Sequence, residues 1–543
     1  MATAINVKGR IVTRPGVYSD IKSGIKNPPL ALSYGNICII DDGIGAGYGG
    51  GAGINGTLNS NQDAIYAFNT IQDFRDFVKG GPLWLIAEPL FKPAGAGVSG
   101  VSTVFFIRAA NTTPATIYYE FENGTVVIKT VDEGVNANGV TEAGQLIKGY
   151  GCKIVPGILD SSKYIIQFFV GTYRGDDPMN GNTPYDSILK ANSKPTLFIQ
   201  SPEMVDVQEL IDWCTENYQF NQYFKLDSAA SSATGAFTAL DITDNAGYKL
   251  AIGGTESYTD DSFDNALQQV KNLDNTFFLA TQYGDSATSM NNTKLLDFCQ
   301  NEAKYDKFVV VGGGFNKDKF NGGSGSSSAI AEFFDSDKVI TVHGGAKKVS
   351  KGGLGFKVYD QLYKTAAVLG RICGLEPQVP ITLKTIAIDG EIHQLSENEQ
   401  EFALSKGILY TYYDYEIGSH VIGQGINTLQ NNQFLVNEDG TSFSIAVKRV
   451  ASQLNKELIY TAKRRFFATN VGPNRNTVTE EDIKAWLEGF LQSKTASSLQ
   501  DNLIVRFGNV SVTVQQDNYF VSYEFVPNFE ISKIVFTGFI LDK

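Results

Sequence analysis

The stretch Pro195-Thr196-Leu197-Phe198-Ile199-Gln200, followed by Ser201-Pro202-Glu203, sets the expected fold class. Its apolar centre reads as a strand. Ser201 then reads as a helix N-cap with Pro202 at the first helical position. Behind it Val207, Leu210, Ile211 and Cys214 recur at helical spacing. The alternation continues to residue 345. A helix with Phe263, Ala266, Leu267 and Val270 on one face precedes a strand over 276–280. A further helix carries Leu295, Leu296, Phe298 and Cys299, and strands over 307–311 and 338–342 follow. Gly322 to Ser328 reads as a loop. Strands alternating with helices predict βαβ units, hence a largely parallel sheet covered by helices.

Upstream the character changes. Residues 111–190 carry short β-like runs at 115–121, 125–131 and 163–170, broken by glycines and Asn-Gly steps, and read as a small all-β unit. Before it, 37–41 and 104–108 read as strands. Ile71 to Val78 reads as a short helix with Phe74, Phe77 and Val78 on one face. Residues 1–30 form an arm. Ile5 and Val7 alternate with polar neighbours, Pro15-Gly16 presets a turn before Val17 and Tyr18, and Pro28-Pro29 closes the segment.

Downstream, residues 350–543 read as a last α+β unit. Helix 443–466 sets Val447, Val450, Ala451, Leu454, Leu458 and Ala462 on one side. Thr479-Glu480-Glu481-Asp482 resembles a capping box opening a helix with Ile483, Trp486, Leu487, Phe490 and Leu491 inward. Four strands are expected at 503–507, 509–515, 519–526 and 531–541. Both chain ends thus read as strands with little chain left to cover them. Unpaired edges recruit other chains, so the two termini are candidates for strand exchange between subunits.

The totals set bounds. At roughly 100–200 residues per domain, 543 residues predict three or four domains. The formal charge of −13 disfavours sequence-independent nucleic-acid binding, which needs Lys and Arg against phosphates. Five widely spaced cysteines with no CxxC pair support neither a zinc site nor a disulfide framework. The N-terminus lacks a secretory apolar segment, and no run approaches 18 apolar residues, so no membrane insertion is expected.

Motifs for chemistry are sparse. Gly45-Ala46-Gly47-Tyr48-Gly49-Gly50 matches GxGxxG after a strand, but more glycine follows where a dinucleotide site needs a helix. The chain holds only three histidines, His343, His393 and His420, and neither GxSxG nor HExxH. Catalytic and metal-ligating residues are therefore expected to be absent, and no cofactor is implied. Within an acidic chain, 448–465 is locally basic: Lys448, Arg449, Lys456, Lys463, Arg464 and Arg465. Such a run is either a solvated helix face or a docking surface for an acidic partner.

Several ordered segments resemble one family, the tail sheath proteins of contractile bacteriophages and related injection systems. Arg14-Pro15-Gly16-Val17-Tyr18 is similar to its N-terminal RPGVY signature. Ile71 to Gly80 resembles its "ts-x-x-eF-x-x-x-fG" segment, and Lys364 to Arg371 its "vAG-x-x-Ar" helix. Leu395 to Gln400 resembles its "ls-x-x-e" turn; Gly407-Ile408-Leu409 and Gly423 to Leu429 resemble its "gin … v-x-G-x-rTl" strands. Asn427 stands where that pattern has arginine.

The resemblance implies a multidomain α/β plus β chain: an arm over 1–30, an N-terminal sheath domain over 31–110, and an outward-facing inserted β-sandwich over 111–190. A subtilisin-like α/β domain without a triad would cover 191–347, and a tube-facing C-terminal domain 348–543. It implies stacked hexameric rings around an inner tube, with baseplate and tail terminator proteins as further partners. The tail of a virion assembled in a bacterial cytoplasm is the implied location. The arm (Ile5, Val7, Pro15, Gly16, Val17, Tyr18) and the last strand (Ile534, Phe536, Phe539, Ile540) would join neighbouring subunits, with hinges at Lys22–Pro29 and Pro527–Glu530. Lys463, Arg464 and Arg465 would face the tube. Three rivals remain open: the sheath of a headless bacteriocin or extracellular injection system, a subtilisin-like hydrolase with His343 or His420 beside a serine and an aspartate, and a nucleotide-binding protein using the 45–50 glycines.

Overall fold

A computed structural model describes residues 5–7, 10–12, 35–41, 65–78, 81–108 (less 96), 110–171 (less 122, 134–136 and 143), 195–237 (less 222), 248–258, 260–273, 277–280, 290–302, 307–349, 355–430, 441–467, 479–495, 503–515 and 518–528.

Its centre is a seven-stranded sheet in the order Ile408–Leu409, Val339–Val342, Phe308–Gly312, Phe277–Ala280, Asn36–Asp41, Thr103–Arg108, Ile65–Phe68. Every neighbouring pair is parallel except the last, where Ile65–Phe68 runs antiparallel along one edge. Successive side chains of a strand point to opposite faces, and both faces here are covered. Ile37, Ile39, Phe277, Leu279, Phe308 and Val310 face one core, which takes Leu83 and Leu90 from helix Gly81–Phe91 and Ala366, Leu369 and Ile372 from helix Gln361–Cys373. Cys38, Ile40, Phe278, Val309 and Val311 face the other. There they meet Phe263, Leu267 and Val270 of helix Asp260–Asn272, Leu295 of helix Met290–Asp297, and Ile330 and Phe334 of helix Ser327–Phe334. The near-continuous apolar strands are the sequence signature of that double burial.

Gly370 permits the close crossing of the two helices on the first face. A Cβ there would stand 2.5 Å from the carbonyl oxygens of Pro89 and Leu90.

The 195–200 segment belongs elsewhere. Strand Thr196–Gln200 pairs antiparallel with Tyr164–Val170, in a four-stranded sheet with Tyr150–Pro156 and Lys249–Leu250. Ser201 caps no helix: its N–H donates to Ile166 O at 2.9 Å and its Oγ accepts from Ile166 N at 2.9 Å, continuing the ladder. The helix starts later, at Val207, with Asp206 as N-cap accepting from Glu209 N at 3.0 Å. A local Ser-Pro-Glu signal lost to a strand pairing that satisfies more backbone groups. A three-stranded antiparallel sheet of Pro114–Phe121, Gly124–Glu133 and Phe224–Leu226 shares the same core. That core runs from Ala115 to Ala251, so strands on both sides of residue 190 belong to one unit.

The 322–328 loop also ends earlier than expected. Ser326 is the N-cap of helix Ser327–Phe334, its Oγ accepting from Ala329 N at 3.2 Å. The Thr479–Asp482 capping box is present, and Ile483, Leu487 and Leu491 are buried below it. The strands expected at 503–507 and 509–515 are one strand, Ile504–Gln515, whose register slips between Gly508 and Ser511, with Asn509 at φ 48°. The gap between the two expected strands is a β-bulge. No described helix is long and apolar enough to cross a membrane.

Candidate functional site

Three features gather chemistry or exposed surface: a basic turn beside a groove, a terminal hairpin, and a buried polar cluster.

Helix Ile445–Ala462 starts at Ser444, whose Oγ accepts from Val447 N, and buries Ile445, Val447, Val450 and Leu454. At its C-terminal end the chain makes a π-helical turn, Lys463–Phe467, on which Lys463, Arg464 and Arg465 are exposed. The Arg464 guanidinium lies 5.7 Å from the Tyr460 ring, and that of Arg465 5.9 Å from Phe466. Helix Glu480–Ser493 runs alongside. An open groove of about 460 Å³ separates them, lined by Thr461, Arg465, Asp482, Trp486, Gly489 and Phe490. The aromatic wall is ordered: Trp486 meets Phe466 edge-on at 5.1 Å and stacks on Phe490 at 6.1 Å. Hydrogen bonds from Thr479 hold the Asp482 carboxyl below its ordinary range, with Arg465 a smaller contribution in the same direction.

The hairpin Ile504–Gln515 with Asn518–Pro527 packs Leu503 and Ile504, with Phe507, Val510, Tyr523 and Phe525, against Leu487 and Leu491. It is a two-stranded sheet with no third strand among the described residues. Val505, Tyr519, Phe520 and Val521 remain exposed on it, Phe520 at 53%. Apart from the bond from Ile504 N–H to Lys494 O, no described strand pairs with the outer edges of this ribbon.

The buried cluster sits at the carboxyl edge of the parallel sheet. All three histidines of the chain are there, none more than 7% exposed. Ser327 Oγ lies 2.7 Å from His343 Nδ1, His343 Nε2 3.0 Å from His393 Nδ1, and His393 Nε2 3.4 Å from Glu399 Oε1. Beside this chain, Lys364 pairs with Glu391, which also accepts from Thr411, while His420 Nδ1 stands 3.5 Å from Glu391 Oε1. The nearby Lys364 ammonium and these hydrogen bonds hold the Glu391 carboxyl ionised against the opposing effect of burial. The described residues contain no group of three His, Cys, Asp or Glu able to hold a metal ion. Ser327 is fully buried, and its Oγ already accepts Gly314 N–H at 2.7 Å. A serine enclosed in this way has the partner of a nucleophile but no approach for a substrate carbonyl.

No family profile and no curated protein matches the sequence. Solved structures do. A sheath tail protein from Desulfitobacterium hafniense superposes with a TM-score of 0.56 at 14% identity, over 94% of this chain and 100% of that one. A sheath tail protein from Listeria innocua superposes with a TM-score of 0.53 at 13% identity, over 93% and 99%. The chain has the tail-sheath fold.

On this fold the expected contact residues fare differently. Lys463, Arg464 and Arg465 share one exposed turn. The rest of the basic run divides: Lys448 pairs with Asp337 at 2.6 Å, and Arg449 is buried, its guanidinium donating to Leu375 O at 2.6 Å. Those two serve the subunit's own packing. In the arm, Ile5–Val7 pairs antiparallel with Arg10–Val12. Pro15, Gly16, Val17, Tyr18, the hinge Lys22–Pro29, the 45–50 glycines and the last strand with Ile534, Phe536, Phe539 and Ile540 lie outside the described residues. Where the sheath pattern has arginine, buried Asn427 donates from Nδ2 to Asp337 O at 3.0 Å and Ser442 O at 2.7 Å. The Ser396–Glu399 turn is a helix start, Ser396 N and Oγ both donating to Glu399 Oε2 at 2.8 Å.

Sequence reasoning missed the Ser327–His343–His393 chain. Its members are 16 and 50 residues apart. The available signal was the scarcity of histidine, with each one adjoining a strand or turn at the sheet's carboxyl edge. All five cysteines are buried and free. Burial pushes the Cys152 thiol up to about 12, so it stays a neutral, unreactive group.

Proposed function

We propose that this chain is the structural subunit of a contractile tail sheath. The observation that carries the reading is the tail-sheath fold extending over 94% of the chain. The subunits would polymerise as stacked hexameric rings around an inner tube, on a baseplate and below a terminator, and contract to drive the tube through a cell envelope. The terminal hairpin supports strand exchange: its free edges fit the arm and the last strand of neighbouring copies. Each cross-strand pair contributes roughly 0.2–1 kcal/mol, so one donated strand supplies a few kcal/mol and a lattice multiplies it. The basic turn and its groove would face the tube. The unit carrying the 114–133 and 145–170 strands would face outward. Catalysis forms no part of this reading: Ser327, the serine hydrogen-bonded to His343 among the described residues, is enclosed.

Negative-stain microscopy of the purified chain tests the proposal. Hollow tubes, lost on deleting residues 1–20 or 531–543 while the subunit stays folded, are expected. A chain that stays monomeric at high concentration, with and without the tube protein of its own gene neighbourhood, overturns it. Those neighbours also separate a phage tail from a headless injection system.

A further inference from the structure

The buried histidine chain runs in one direction. Gly314 N–H donates to one lone pair of Ser327 Oγ, and we assign the serine proton to His343 Nδ1, 2.7 Å away. His343 must then carry its proton on Nε2 and donate to His393 Nδ1. His393 in turn carries its proton on Nε2, facing Glu399 Oε1, while Glu399 Oε2 takes both Ser396 donors. Four separate segments are joined: the start of helix Ser327–Phe334, the end of strand Val339–Val342, the loop at His393 and the start of helix Glu397–Ser405.

We propose that this chain is an acid-operated lock, which holds those four segments together while His343 and His393 are neutral and releases them when a proton enters. A proton added to His393 Nδ1 reverses the two links toward His343 and Ser327 and leaves the one to Glu399 as it was. His393 then donates to His343, and His343 donates to Ser327. The Ser327 hydroxyl proton loses its acceptor in a fully buried site, which is costly. The surroundings oppose the charge. His343 faces Lys364 from helix Gln361–Cys373 as well as His393, with the Phe320 ring 4.7 Å away. His393 faces Lys317 and Lys364, and only Glu399 favours its charged form. Burial is the largest influence on both, and it holds both imidazoles below their ordinary range.

The sign follows from that direction. Unfolded histidine titrates near pH ~6.5, so below it the unfolded chain binds more protons than the folded one. The lock's contribution is fully present above about pH 6.5 and is lost as pH falls below it. The folded-to-unfolded ratio should drop up to about tenfold per pH unit for each histidine, until the depressed folded values are reached.

Nitrogen NMR on the full chain labelled at its three histidines tests this, with His420→Asn assigning one signal. Neutral His343 and His393, both in the Nε2–H form at pH 7.5 and each titrating below the ordinary imidazole range in the folded protein, are expected. Either ring titrating near pH 6.5 in the folded protein, or carrying its proton on Nδ1 at pH 7.5, overturns the proposal. Urea unfolding at both pH values gives the second measurement. The wild type should lose more of its folded-to-unfolded ratio on acidification than His393→Asn does; equal losses also overturn it. Should His393→Asn fail to fold, the wild-type NMR titration decides alone.

Discussion

The chain concentrates charge in two places, and the two behave oppositely. At Glu391 the charge is enclosed: the Lys364 and Glu391 side chains are 1% and 3% exposed and paired. At the 463–465 turn three cations stand exposed beside Tyr460 and Phe466. Burying a charge is so costly that it must find its partner inside the subunit. An exposed charge incurs no such cost and stays available for another molecule. Enclosed charge therefore specifies the fold, and exposed charge is where assembly can act. Lys448 and Arg449, one turn into the same helix, belong with the enclosed group.

Removing half of the enclosed pair should have the largest effect. Glu391→Gln leaves Lys364 buried without its counter-charge, and a loss of about 3–5 kcal/mol in urea unfolding is expected. Replacing both, as Lys364→Met with Glu391→Leu, should recover most of that loss; no recovery would mean the pair does more than cancel charge.

Next is the helix crossing beneath the cluster. Gly370→Ala drives a methyl group against two carbonyl oxygens at 2.5 Å. The helices must separate, and thermal or urea unfolding should report a loss of about 1–3 kcal/mol. At Thr479 the expected loss is smaller. Thr479→Ala removes the cap of helix Glu480–Ser493, the wall of the groove, at about 1 kcal/mol. Amide exchange should quicken in the first turn of that helix and nowhere in the parallel sheet.

The smallest stability effect belongs to the exposed group. Changing Lys463, Arg464 and Arg465 to Glu should leave the unfolding midpoint unchanged. Co-sedimentation with the inner tube protein should nevertheless weaken, and the wild type's binding should fall with added salt. A midpoint that drops as it does for Glu391→Gln would erase the distinction between the two regions.

Legibility in the sequence followed the locality of the cause. Strands 36–41, 277–280, 308–312 and 339–342 were readable because burial on both faces makes them apolar throughout. Helix Asp260–Asn272 and the Thr479 capping box were readable from spacing within a dozen residues. Strand Thr196–Gln200 was recognised as a strand but assigned to the wrong sheet, since nothing in six residues encodes a partner at 164–170. Helix Gly81–Phe91, whose mid-helix Pro89 argues against it locally, forms because Leu83 and Leu90 are buried against helix Gln361–Cys373.

By itself, then, the sequence determined the element types, the double burial of the parallel strands, the locally basic run and the ordered segments that resemble a sheath. These depend on periodicity, capping and composition, all written within a few residues of each other. Only the tertiary structure decided which sheet takes strand 196–200, that the bulged 504–515 strand is continuous, and that three distant histidines meet beside Lys364 and Glu391. Those depend on contacts across tens to hundreds of residues, where the free energy of pairing and desolvation outweighs any local preference.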